Sequence, residues 1–153
     1  MANWILGMGR RESGDDAAGV VFAQTFRAPS WRTADVGTVP ENAGGYIRRD
    51  PGGTVVLVDA VDLGLAPGSV RRLRADDLES AGFGTHAPDP SMLEAYLKAA
   101  GAHDVAWIGI QVASLARPGL SRPVKDALRR LARTLAPGPA ALATLPWWSP
   151  AFE

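Results

Sequence analysis

The chain predicts an α/β fold, a three-layer α/β/α sandwich around a mostly parallel, twisted sheet with an antiparallel edge strand. Three observations predict it. Two short runs, TVVLVD at residues 54–59 and VAWIGI at residues 105–110, are apolar on both faces, as strands are when helices cover a sheet from both sides. Strand patterns alternate with helix patterns along the chain, which is the order of parallel strands joined by crossover helices. Finally, SVRRL at residues 69–73 carries two arginines that fit a strand only where one face meets solvent, at a sheet edge.

The elements follow in order. Residues 4–8 form a first strand around Ile5 and Leu6, and a glycine-rich turn with Gly7, Gly9 and Gly14 leads into a helix ending near Phe26. Asp15 and Asp16 sit at or just inside the start of that helix. Residues 32–36 are a short strand closed by Gly37, and Pro40 and Asn42 open a helix through Arg49. Asp50-Pro51-Gly52-Gly53 is a strong break before the strand at 54–59. Residues 60–68 form a loop turning at Pro67-Gly68, the edge strand follows, and residues 76–80 make a short helical turn. After an irregular stretch holding His86, Asp89-Pro90-Ser91 starts a helix that Gly101 stops. The strand at 105–110 leads through a loop to a helix over 121–135, with Val124, Leu128, Leu131 and Leu135 on one face. Residues 1–135 thus read as one α/β domain, and residues 136–153 as a C-terminal tail containing Pro and Trp, in which Trp147 and Trp148 either pack on the sheet or anchor a partner.

Composition narrows the function. Sixteen basic and sixteen acidic residues cancel in a chain of 153, which disfavours a nucleic-acid binder needing a net basic face. The absence of cysteine removes disulfides, thiolate metal sites and a cysteine nucleophile together. No apolar run approaches the roughly 20 residues of a membrane span. The expectation is a cytoplasmic monomer that engages neither nucleic acid nor membrane.

Candidate chemistry collects on one rim. In an open parallel sheet, ligands bind outside the carboxyl ends of the strands. Asp15 and Asp16 follow the first strand and Asp59 closes the TVVLVD run, so all three belong to that rim. Of the two histidines, His103 immediately precedes a strand and lies at the opposite edge, whereas His86 precedes a helix that must begin at the crevice. Two carboxylates and an imidazole with open positions suit a divalent ion such as nickel, iron or zinc, which could polarise a carbonyl or activate water. Each residue also has a plainer role: an Asp at a helix start is commonly a cap or dipole partner. Glu41 also falls near the rim, and Asp62 competes with Asp59. A dinucleotide fingerprint is broken by Glu12 at its third glycine position, and the acids would repel pyrophosphate.

At this point whole blocks of residues match a family. GMGRRESGDDAAG from Gly7, GTVPEN from Gly37, LVDAVDLGLAPGSVRRL from Leu57, Thr85-His86 and WIGIQ from Trp107 resemble the [NiFe]-hydrogenase maturation endopeptidases over about the first 135 residues. They are most similar to the branch serving hydrogenase 3-type large subunits of formate hydrogenlyase complexes. The resemblance implies the same α/β/α fold and a metal-binding, catalytic set of Asp16, Asp59 and His86, choosing Asp16 over Asp15 and Asp59 over Asp62. It implies removal of a C-terminal peptide from the large-subunit precursor once nickel has been inserted, with nickel supplied by the substrate as the recognition element; other divalent ions suit the same donors. The same residues would serve a non-catalytic chaperone that checks nickel loading. Arg10 departs from the family, which has Asn there.

Overall fold

The computed structural model describes residues 1–80 and 89–150. Five strands form one sheet in the order β2-β1-β3-β5-β4. They are β1 (Trp4–Met8), β2 (Arg32–Gly37), β3 (Thr54–Val61), β4 (Val70–Leu73) and β5 (Asp104–Gln111). The first four neighbours in chain direction, β2, β1, β3 and β5, run parallel. β4 is antiparallel to β5, pairing Val70 with Ile110 and Leu73 with Trp107. The expected fold class, including its antiparallel edge, is what forms.

Two cores cover the two faces, because successive side chains of a strand point to opposite sides. Trp4, Leu6, Val55, Leu57 and Trp107 face one core, closed by helices α2 (Gly44–Arg49), α3 (Ala75–Ser80) and α4 (Pro90–Ala100). Ile5, Val56, Val58, Ile108 and Ile110 face the other, closed by α1 (Ala18–Thr25) and α5 (Arg122–Leu135). Every residue of β1 is buried. That explains why the central strands carry no polar alternation.

The helix starts use the expected chemistry unevenly. Asp89 caps α4 by accepting from the Ser91 amide at 2.9 Å, with Pro90 at the first helical position. Ser121 stands at the start of α5 but makes no cap bond; its hydroxyl is engaged elsewhere, as described below. Two expectations shift in detail. Residues Gly14–Ala17, carrying both acids, form a separate 3-10 turn ahead of α1. β3 continues two residues past Asp59, to Val61, so Asp59 lies within the strand rather than at its end.

The C-terminal segment is built onto the domain. A 3-10 turn at Pro139–Thr144 buries Leu142 in the α1/α5 core. Beyond it, the Arg72 amide donates to the Pro146 carbonyl at 2.8 Å and the Trp148 amide donates to the Arg72 carbonyl at 2.9 Å. This single parallel bridge seals part of β4's outer margin. Trp148 packs against the α2/α4 core, while Trp147 remains 44% exposed. Among the described residues, no helix is long and apolar enough to cross a membrane.

Candidate active site at the carboxyl rim

Backbone contact fixes the turn after β1. Gly19 brings α1 so close that a Cβ there would lie 2.5 Å from the Met8 carbonyl oxygen. Gly9 has φ of 135°, and a methyl group on it would run into the Asp16 carbonyl oxygen. Only glycine fits either position without displacing backbone. The same missing methyl at Gly9 would lie 3.8 Å from the Asp59 carboxylate. The turn therefore carries Asp16 to the point where β3 carries Asp59.

β3 exposes Asp59 to that turn because β1 stops short. The last β1 partner in the ladder is Gly7, opposite Val58, while on the other side Asp59 still pairs with Gly109 of β5. Asp59 is partly buried, and its Oδ1 accepts from the Ala60 amide at 2.8 Å. Desolvation, then the Asp16 charge, push its pKa up to about 8, against the smaller opposing effect of the Ala60 bond. Asp16 is likewise partly buried, and its Oδ2 accepts from the Arg10 amide at 2.9 Å. A carboxyl that burial, and secondarily a neighbouring acid's charge, keep from ionising is where a cation's charge would be favourable.

Asp15 takes a different role from its neighbour. It is completely buried, and it accepts from the amides of Ala113 (2.8 Å), Ser114 (3.1 Å) and Ser121 (2.7 Å) and from the Ser121 hydroxyl (2.8 Å). Burial acts to raise its pKa, but the bonds from Ser121, Ala113 and Ser114 outweigh it and hold the carboxyl below its ordinary range. Its own amide donates to the Ser114 carbonyl at 3.0 Å. Asp15 therefore rivets the loop between β5 and α5 to the turn, and its bonding capacity is spent. Asp16, by contrast, accepts from the Arg10 amide, and its charge acts on Asp59.

The Asp59/Asp62 alternative divides in the same way. Asp62 accepts from the Gly64 amide at 3.2 Å and from the Gln111 side-chain amide at 3.1 Å. Its pKa is lowered, first by Gln111 and then by Gly64. Gln111 is buried at 4% exposure, accepts from the Leu63 amide at 2.6 Å and the Leu65 amide at 3.3 Å, and donates to the Val112 carbonyl at 3.1 Å. All four of its side-chain bonding positions shape the loop after Asp59. Sequence reasoning missed this residue, although a polar residue ending the apolar run WIGIQ was the signal. A second omission is Asp35, which receives the Arg11 guanidinium and the Gln24 side-chain amide (3.3 Å) and caps the Gly37 amide (2.9 Å). It ties the turn to β2.

The remaining candidates separate by position. Glu41 is exposed on a 3-10 turn at Pro40–Ala43, beyond the carboxyl end of β2, and its carbonyl accepts from the Tyr96 hydroxyl at 3.2 Å. His103 stands just before β5 at the far edge, with its amide donating to the Gly53 carbonyl at 2.9 Å. His86 lies outside the described residues. Among the described residues, no three His, Cys, Asp or Glu side chains gather as a metal site; the pair Asp16 and Asp59 supplies two oxygen donors. The mutual repulsion of that pair is the feature a divalent ion would relieve, so the residues present fit such an ion.

Known proteins resemble this chain in sequence and in fold. The family model described as HycI, hydrogenase maturation protease, matches residues 21–137. The hydrogenase 3 maturation protease of Escherichia coli strain K12 is 32% identical over 141 residues, covering 88% of this chain and 89% of that protein. The solution structure of the endopeptidase HycI from Escherichia coli superposes with a TM-score of 0.82 at 28% identity, covering 100% of both chains. The crystal structure of a [NiFe] hydrogenase maturation protease HycI from Thermococcus kodakarensis gives 0.73 at 29% identity, over 93% of this chain and 92% of that one. On these grounds the chain belongs to the hydrogenase maturation proteases.

Proposed function

We propose that this protein is a nickel-recognising endopeptidase that removes the C-terminal extension of a [NiFe]-hydrogenase large-subunit precursor after nickel insertion. The relatives' names supply the substrate class, and the carboxylate pair supplies the reason for the metal. The nickel is cargo of the precursor, and Asp16, Asp59 and His86 are the residues that would meet it. Cleavage in this scheme follows delivery of the precursor in the cytoplasm, where the protease acts as a monomer.

The observation that carries this reading is Asp59, whose pKa is raised to about 8 by burial and by Asp16. Near neutral pH in the free protein a proton is therefore favoured at the Asp59 carboxyl, while the Asp16 side chain accepts from the Arg10 amide. A divalent ion facing both would displace that proton and, when bound, polarise an amide carbonyl and acidify water. The chain's own share is to hold the two carboxylates in register, with Asp15 and Gln111 fixing the loops on either side.

Incubating nickel-loaded and nickel-free precursor with the protein, and following the large subunit by gel mobility, tests this. The expected outcome is a shift of the loaded form alone. Binding of the loaded form without cleavage would make the protein a nickel-checking chaperone instead.

A further inference from the structure

Two large apolar side chains remain exposed on loops bonded to the turn that carries Asp16: Val39 is 43% exposed and Leu115 54%. Val39 lies two residues beyond Gly37, whose carbonyl accepts from the Gly9 amide at 3.0 Å. A Cβ on Gly9 would in turn stand 3.8 Å from the Asp59 carboxylate. Leu115 is tied to the other end of the same turn. The Asp15 amide donates to the Ser114 carbonyl at 3.0 Å, and a Cβ on Gly14 would lie 3.2 Å from the Leu115 carbonyl carbon. Neither loop can leave the turn without breaking backbone contact.

The two loops depart toward opposite faces of the sheet. From Val39 the chain passes through the turn at Pro40–Ala43 into α2, in the core shared with α4. From Leu115 it passes into α5, in the core shared with α1. The rim around Asp16 and Asp59 therefore carries one exposed apolar side chain toward each layer. A single exposed hydrophobe is ordinary. Here two are held by backbone on either side of the acids, and a peptide bond brought to those acids continues outward past both loops.

We propose that Val39 and Leu115 are specificity-determining residues, an apolar clamp that receives apolar side chains flanking the cut bond in an extended segment of the protein substrate. Because backbone bonds already fix both loops, gripping the segment orders little beyond the two side chains themselves. Covering one such side chain is worth about a tenfold change in affinity. The assignment rests on the protease reading above and names what that site selects.

The test uses the full chain and the nickel-loaded precursor, with steady-state cleavage, precursor binding and thermal melting as readouts. Val39→Ser and Leu115→Ser are each expected to raise KM about tenfold with kcat and the melting midpoint unchanged. The apolar replacements Val39→Ile and Leu115→Met are expected to stay near the wild-type KM, and the wild-type KM is expected to be insensitive to salt. An unchanged KM in either serine variant overturns the clamp and leaves the protease. So does a fall in kcat accompanied by a lower melting midpoint, which would make the loops scaffolding only. If the wild type binds the loaded precursor without cutting it, the protease reading falls, and Kd takes the place of KM. A tenfold weakening in both serine variants would then sustain the clamp, and equal Kd values would remove it.

Discussion

Replacing Asp59 by Asn deletes a charge the fold resists while keeping the shape and the acceptor for the Ala60 amide. The consequence for stability depends on pH. Asp59 is an acid whose folded pKa, about 8, lies above its ordinary value of 3.8. Its favourable contribution is complete below the lower value and is lost as pH rises through the upper one. At about 1.4 kcal/mol per unit, the gap sets a ceiling of about 6 kcal/mol above pH 8. The side chain keeps an open face through which water screens the charge, so about 1–3 kcal/mol is the expected size. Urea unfolding of wild type and Asp59→Asn, both with chelator, measures it. The variant should match the wild type near pH 4, gain on it steadily to pH 8, and hold a constant advantage above that. Its processing activity should be absent throughout. A stability difference that stays flat from pH 4 to pH 9, or a variant less stable at high pH, would refute the carboxylate-pair argument.

Other substitutions test the neighbouring parts. Asp15→Ala leaves three part-buried amides without their acceptor, and about 1–3 kcal/mol of stability should be lost at pH 7 in the same urea assay. Because the Asp15 pKa is depressed, the wild type should surrender that contribution as pH falls below the ordinary carboxylate range. Gly9→Ala forces a methyl into the Asp16 carbonyl at a φ that disfavours any side chain; thermal melting should show loss of more than about 1 kcal/mol, with activity lost as well. His86→Ala should abolish precursor processing on gels, and His103→Ala, at the opposite edge, should leave it near normal. Equal effects would mean that the histidine at the rim was wrongly assigned.

The sheet was legible because it is written locally. TVVLVD and VAWIGI have no polar alternation to confuse with a surface strand, and Arg71 and Arg72 mark β4 as an edge. The glycines also announced a tight turn. The division of labour between Asp15 and Asp16 was not legible from the residues, since it depends on a loop about a hundred positions away that delivers the amides of Ala113, Ser114 and Ser121 to one carboxylate. Adjacent identical residues carry no local signal of which one a distant loop will use; only the family resemblance separated them. Gln111 shows the same limit, because its bonds run to residues almost fifty positions earlier. The bridge from Pro146 and Trp148 to Arg72 was hidden for a related reason. A lone pair of backbone bonds has no side-chain periodicity to betray it.

The bond between Arg10 and Asp16 has a consequence for which residues the turn can accept. Arg10 serves Asp16 through its main-chain amide, and its side chain projects into solvent. Position 10 is thus interchangeable in chemistry but not in backbone: the Arg found here and the Asn that the resemblance leads one to expect donate the same proton. Proline alone would withdraw it. Gly9, one step earlier, admits no replacement. The turn alternates a frozen position with a free one, so surface identity can drift at the mouth of the site while the spacing of its carboxylates is inherited unchanged.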